Sequence, residues 1–133
     1  MRKSSRWPIF REPCISSTVP KKSYLKAAST AVNAFFGYAV AIDGDSVVVG
    51  AYGEASNTGG AYVFSRSGAT WSQQKYLQAA NAEGSDQFGM AVAIGGGTVV
   101  VGAVGESSAA TGIGGDTGNN GAVESGAGYV FPL

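Results

Sequence analysis

The sequence predicts an all-β chain organised as β-propeller-type blades: about two four-stranded antiparallel units, making a partial propeller. Three observations carry that expectation. The stretch 36–51 returns 52 residues further on as 88–103, and aligning 24–54 with 76–106 gives 18 identities in 31 positions. A repeat of that length is one supersecondary unit copied, and such units stack as propeller blades or solenoid coils. Within each copy, large apolar residues alternate with alanine in one segment and run unbroken in the next, the patterns of a half-buried and a fully buried strand. Glycine-rich turns punctuate these segments at strand-length intervals. A β-sandwich would accommodate as many strands, but it gives no reason for the fixed register between copies.

In chain order, residues 1–22 read as a disordered basic leader and 23–133 as two blades. An outer strand is expected at 23–28, because Tyr24-Leu25-Lys26-Ala27-Ala28 matches Tyr76-Leu77-Gln78-Ala79-Ala80. A complete blade follows at 36–79. Its first strand, Tyr38-Ala39-Val40-Ala41-Ile42, is bulky on one face and small on the other. Asp43-Gly44 turns the chain, and Val47-Val48-Val49-Gly50-Ala51 is expected to be buried on both faces. Strands at 60–64 and, more polar and therefore outermost, at 70–77 complete the unit. An incomplete blade spans 88–131: Met90-Ala91-Val92-Ala93-Ile94, a turn at Gly95-Gly96-Gly97, Val99-Val100-Val101-Gly102-Ala103, and a strand at 127–131. That last strand echoes 60–64 at an offset of 67, so the second copy holds 15 additional residues within 107–126. They are small and polar with no core-forming set, and an exposed loop is expected. The segment 23–28 is expected to complete the last blade, in the same chain or in a neighbour, and so to cover an open edge. Two blades leave a ring open, so the chain is expected to be a fragment of a longer frame or to assemble with further blades or other copies of itself.

Charge and composition bound the partners. The formal net charge is zero. Residues 1–23 hold Arg2, Lys3, Arg6, Arg11, Lys21 and Lys22 against Glu12, whereas the rest holds Lys26, Arg66 and Lys75 against eight acidic residues. The repeat body offers no basic face to a phosphate backbone, so nucleic acid is not an expected partner. The single Cys14 makes no internal disulfide, and with no histidine the chain lacks the ligands of a zinc site. The basic start resembles a secretory leader, but Arg11 and Glu12 interrupt the apolar stretch Trp7-Pro8-Ile9-Phe10, so no signal peptide is recognisable; no run is long enough for a membrane helix.

Candidate chemistry is sparse. Glu54 and Glu106 recur after Gly-Ala in equivalent places, which points to a shared structural task such as holding backbone N–H groups in a turn, in preference to a glycosidase pair. The absence of histidine removes the usual Ser-His-Asp and Cys-His sets. Asp116-Thr117-Gly118-Asn119-Asn120-Gly121 has some calcium-loop residue types but a glycine where the third ligand belongs and no closing glutamate. Gly112-Ile113-Gly114-Gly115 lacks the helix and lysine of a phosphate loop. Tyr62, Phe64, Tyr129 and Phe131 stand at strand spacing and are expected in the core; Trp71 lies in the polar strand. No catalytic, cofactor-binding or metal-binding residue is expected.

Phe36-Gly37 followed by Gly50-Ala51-Tyr52-Gly53-Glu54, and Phe88-Gly89 followed by Gly102-Ala103-Val104-Gly105-Glu106, resemble the FG-GAP repeat of the integrin alpha-subunit propeller and of bacterial surface proteins. Tyr52 and Val104 stand where that family usually has proline. The resemblance implies a secreted or cell-surface propeller for adhesion or recognition, binding a protein or glycan ligand, frequently with calcium in the hairpin between a blade's first two strands. Here that hairpin offers Asp43-Gly44-Asp45-Ser46 in one copy and Gly95-Gly96-Gly97-Thr98 in the other, so the calcium loop is absent from both and no calcium is expected. The expected function is a non-catalytic structural or recognition module; the alternatives are part of a propeller enzyme acting on glycans or esters with loop 107–126 near its site, or a truncated product with no role of its own.

Overall fold

The computed structural model describes residues 23–115 and 117–133; the expected leader, 1–22, lies outside them. Each repeat forms its own antiparallel sheet. In the first, β1 (Ala39–Asp43), β2 (Ser46–Ala51), β3 (Gly60–Ser67) and β4 (Thr70–Leu77) lie side by side in that order. In the second the order is β5 (Phe88–Gly95), β6 (Thr98–Ala103) and β7 (Ala127–Pro132). A single turn, α1 (Glu54–Asn57), links β2 to β3, and Ala55 and Ser56 in it adopt left-handed φ of +49° and +59°. The expected all-β architecture, separate blade-like sheets of four and three strands, is the one observed.

Local chemistry explains the hairpins. Asp43 faces Ser46 across a two-residue turn in which Gly44 has φ +57°. Gly95 faces Thr98 across Gly96 and Gly97, whose φ of +57° and +79° suit a type I′ turn and the right-handed twist of its strands.

The sheets pack face to face, and period-two side-chain alternation decides which residues meet. Cross-strand register puts Ala41, Val48 and Val63 on one face of the first sheet, and Ile42, Val47 and Phe64 on the other. The small-residue face meets Val92, Ile94, Val99, Val101, Tyr129 and Phe131 of the second sheet around the fully buried Phe88, giving the main core. A fully buried valine or phenylalanine contributes about 1.5–3 kcal/mol through its area alone.

The sheet backbones approach closely because glycines stand where they cross. A register shift after Phe88 leaves Gly89 and Met90 bulged out of β5. A Cβ on Gly50 would overlap the carbonyl oxygen of Gly89, and one on Gly89 would overlap that of Gly60. Beside this crossing, the backbone N–H groups of Ser85, Gln87 and Phe88 donate to the carbonyls of Ser56, Asn57 and Thr58 at 3.2, 2.7 and 3.0 Å.

The repeats agree down to backbone conformation. Phe36 meets Tyr62 and Phe64 at 5.3 and 6.1 Å between ring centroids, edge-on, and Phe88 meets Tyr129 and Phe131 at 5.3 and 6.0 Å. Gly37 and Gly89 have φ of +96° and +98°. Gly53 N–H donates to Ala34 O at 3.0 Å, and Gly105 N–H to Asp86 O at 2.9 Å.

Two expectations need correction. Segment 23–28 forms no strand: Leu25 and Ala27 lie on the aromatic face of the first sheet, and Ala28 N–H donates to the Gln73 side chain at 3.0 Å. It pairs with neither β7 nor any other strand among the described residues, so completion of the last blade within the chain is not observed. The second valine triplet is not buried on both faces either. Val99 and Val101 are fully buried, but Val100 is 42 % exposed, because no sheet covers the far side of β6 among the described residues.

Candidate functional site

The turns that close each blade concentrate the polar chemistry, and the two solve the same problem differently. In the first blade Glu54 opens α1 and points its carboxylate back across the sheet. The hydroxyls of Tyr62 and Tyr76, cross-strand neighbours on β3 and β4, donate to its two oxygens, the latter at 2.7 Å. Burial first, and then the Glu54 carboxylate, hold both tyrosines protonated well above the ordinary tyrosine range. The task expected for Glu54, securing backbone N–H groups, is thus performed on tyrosine hydroxyls instead.

In the second blade Glu106 does secure a backbone N–H, that of Ser108 at 3.1 Å, and it also accepts from the Asn81 side chain at 3.0 Å. Asn81 in turn accepts from the Tyr129 hydroxyl at 2.8 Å, so it is interposed where Glu54 meets tyrosine directly. Nearby Asp86 is buried and accepts from Glu83 N–H at 3.0 Å. Desolvation raises its pKa, against the lowering effect of the Glu83 N–H bond, and the charges of Glu83 and Glu106 add to the rise. Glu54, Glu106 and Asp86 are thus each engaged by hydrogen-bond donors of the folded chain.

The long loop is grafted onto this turn with two of its backbone hydrogen bonds kept, although Ala55 and Ser56 are left-handed and their counterparts Ala122 and Val123 are not. Gly59 N–H donates to Glu54 O at 3.0 Å; its counterpart Gly126 N–H donates to Glu106 O at 2.8 Å. Thr58 N–H to Ala55 O at 3.2 Å likewise matches Ser125 N–H to Ala122 O at 3.1 Å. The additional residues are therefore 107–121. They are internally tied: Ser107 Oγ accepts from Glu124 N–H at 3.0 Å, and Asn119 Oδ1 accepts from Ala109 and Gly121 N–H at 3.3 and 3.0 Å. Asn120 reaches Glu83 at 2.9 Å. At the tip Ile113 is fully exposed between Gly112 and Gly114, both at positive φ. Asp116 lies outside the described residues, while Asn119 is committed to backbone donors.

The hairpins do not fit the calcium site that the resemblance implies. Asp45 pairs with Arg66 at 2.6 Å, and Arg66 lies 5.5 Å over the Trp71 ring. Asp43 accepts from Gly96 N–H of the other sheet at 3.1 Å. Among the described residues no three Asp, Glu, Cys or His side chains group to hold a metal ion. Tyr62 and Phe64 are buried as expected, and Tyr129 and Phe131 are partly buried against the core. Sequence reasoning missed the tyrosine partners of Glu54; the spacing Glu54, Tyr62, Tyr76 becomes meaningful only once β3 and β4 are paired. It also missed a groove of about 630 Å³ on the aromatic face of the first sheet, lined among others by Leu25, Ala27, Phe36, Val40 and Val49.

Blade-like sheets, each closed by a Gly-Ala-x-Gly-Glu turn and stacked through a Phe-Gly bulge, define a β-propeller-type repeat module. The family model of the FG-GAP repeat matches residues 21–64 and 71–131. The chain belongs to the FG-GAP repeat family. No curated protein matches it.

Proposed function

We propose that the chain is a non-catalytic recognition module of the extracellular or cell-surface type, and that loop 107–121 is its contact surface. The observation that carries this reading is the graft. Fifteen residues stand between Glu106 and Ala122 where the first blade joins Glu54 directly to Ala55, and two backbone hydrogen bonds of the turn recur in both repeats. The blade does not need them, yet they are held by their own hydrogen bonds and raise an isoleucine into solvent. Ordered structure surplus to the scaffold is where binding function concentrates, since loops vary without disturbing the elements that carry them. A protein ligand suits this surface: a polar rim around one apolar anchor is how protein contacts are commonly built. Glu54, Glu106 and Asp86 speak against hydrolysis, because donors that a substrate would have to displace engage them.

The test joins Glu106 directly to Ala122. The shortened chain is expected to keep its circular dichroism spectrum and to lose binding on an array of matrix proteins and glycans, and Ile113→Asp in the intact chain is expected to lose the same signals. Turnover of glycan or ester substrates by the intact chain, lost with the loop, would establish the enzyme reading instead.

A further inference from the structure

Among the described residues, the crossing between the two sheets has an unoccupied duplicate divided between their two ends. On the leading side, Phe36-Gly37 stands where Phe88-Gly89 stands one repeat later, with matching φ at the glycine. Phe35 and Gln87 match too, at φ +56° and +59°, as do Asn33 and Ser85 at +58° and +69°. The N–H groups of Ser85, Gln87 and Phe88 have acceptors in the preceding blade; those of Asn33, Phe35 and Phe36 have no backbone acceptor among the described residues.

On the trailing side, the acceptors of that triplet have counterparts in Val123, Glu124 and Ser125. Glu124 has φ +55° against +67° for Asn57, and Gly126 has +85° against +90° for Gly59. Among the described residues the space is open at both ends. A Cβ on Gly50 would overlap Gly89, whereas one on its counterpart Gly102 would meet nothing nearer than the Ala91 side chain at 3.6 Å; one on Gly37 would meet nothing within 4 Å.

The flanking faces complement each other in the same way. Val40 and Ile42, 64 % and 65 % exposed, correspond to Val92 and Ile94 of the core. Val100 and Val130, the latter 67 % exposed, correspond to Val48 and Val63, which cover that core. Leu25 and Ala27 already occupy the places of Leu77 and Ala79, so the groove is shaped and not blocked. The contact of Asp43 with Gly96 N–H lacks a counterpart, since residue 95 is glycine, and Val123 does not share the left-handed φ of Ser56.

We propose that a second copy of this chain fills the groove, docking head to tail. The strip 33–37 and the Val40–Ile42 face of one copy take the turn 123–126 and the Val100–Val130 face of the next. The same register brings Tyr24 and Leu25 opposite Tyr129 and Gly128, so the incoming copy also begins the outer strand that β7 lacks. The interface joins different surfaces on the two partners, so it propagates into a ring or an open filament according to the rotation per step.

Gly102→Ala decides it. The added methyl is accommodated within one chain but overlaps residue 37 of the docking copy. In sedimentation velocity, the 133-residue chain is expected to show species above one chain's mass that grow with concentration. Gly102→Ala is expected to keep the circular dichroism spectrum and melting temperature of the dilute parent chain and to lose those species. Val130→Lys, which places a charge on the same face, is expected to do likewise and settles the matter should the alanine variant misfold. A chain that stays monomeric at all concentrations, or higher-mass species that survive both substitutions, would overturn the proposal.

Discussion

The same four residues, Ala-Val-Ala-Ile, form the heart of β1 and of β5, and the structure buries them in opposite senses. In β1 the alanines turn inward, while Val40 and Ile42 are mostly exposed; in β5 Val92 and Ile94 are partly buried and Ala91 and Ala93 are exposed. Hydropathy is identical, so it does not decide the outcome. What decides is the side on which the neighbouring sheet stands: β1 offers its small face to the second sheet, and β5 offers its large face to the first. A repeat unit buries only the face that a neighbour covers, and its residues are fitted to two different neighbours at once.

Substitutions at matched positions sharpen this contrast. The largest difference is expected between Gly50→Ala and Gly102→Ala. The first forces a methyl into the Gly89 carbonyl and is expected to cost about 3 kcal/mol or more, because the obstruction is backbone that has nowhere to move; the second is expected to change stability by about 0.5 kcal/mol or less in the dilute chain. Urea unfolding of both variants checks it, and equal losses would break the comparison.

Next come the phenylalanines of the bulge. Phe88 is fully buried between two sheets, and Phe88→Ala is expected to cost about 3–5 kcal/mol. Phe36 packs on the equivalent pair, Tyr62 and Phe64, but is only partly buried, and Phe36→Ala is expected to cost clearly less by the same denaturant titration. A smaller gap of the same kind is expected between Val48→Ala, about 2 kcal/mol, and Val100→Ala, under about 1 kcal/mol, since Val48 is fully buried and Val100 is not.

The smallest effect is electrostatic. The Tyr62 and Tyr76 hydroxyls hold their protons to higher pH in the folded chain than in the unfolded one. The unfolded chain therefore loses protons first, and stability falls as pH rises past about 10. Tyr76→Phe is expected to flatten that decline in melting temperature measured between pH 8 and 11, with Tyr62 still contributing. An unchanged slope would mean that the Glu54 cluster does not govern the alkaline limb.

Much of this was legible in the sequence because it rests on period and turn chemistry. The offset of 52 fixes which strands correspond, the paired glycines at 96 and 97 fix a hairpin, and the offset of 67 locates the inserted loop. Tertiary approach was not legible. Nothing in the text distinguishes Gly50, jammed against Gly89, from Gly102, which stands free, since both sit in Val-Gly-Ala. The fate of 23–28 was hidden for a related reason: its residues match the end of a strand, but a strand requires a partner edge, and pattern alone does not supply one. Glu54 and Glu106 were recognisable as equivalent, yet their partners differ: Asn81 stands where the first repeat has Ser29, Ser108 belongs to the inserted loop, and among the described residues no strand beside β7 brings a second tyrosine.

One docking strip is used inside the chain and, among the described residues, is left open at its leading end. Backbone amide hydrogen exchange, measured by NMR at a dilution where the chain is monomeric, reads that strip directly. The N–H groups of Ser85, Gln87 and Phe88 are predicted to be protected, and those of Asn33, Phe35 and Phe36 to exchange freely despite matching backbone angles. Equal protection of the two sets, or fast exchange at 85–88, would contradict the stacking of one repeat on the other.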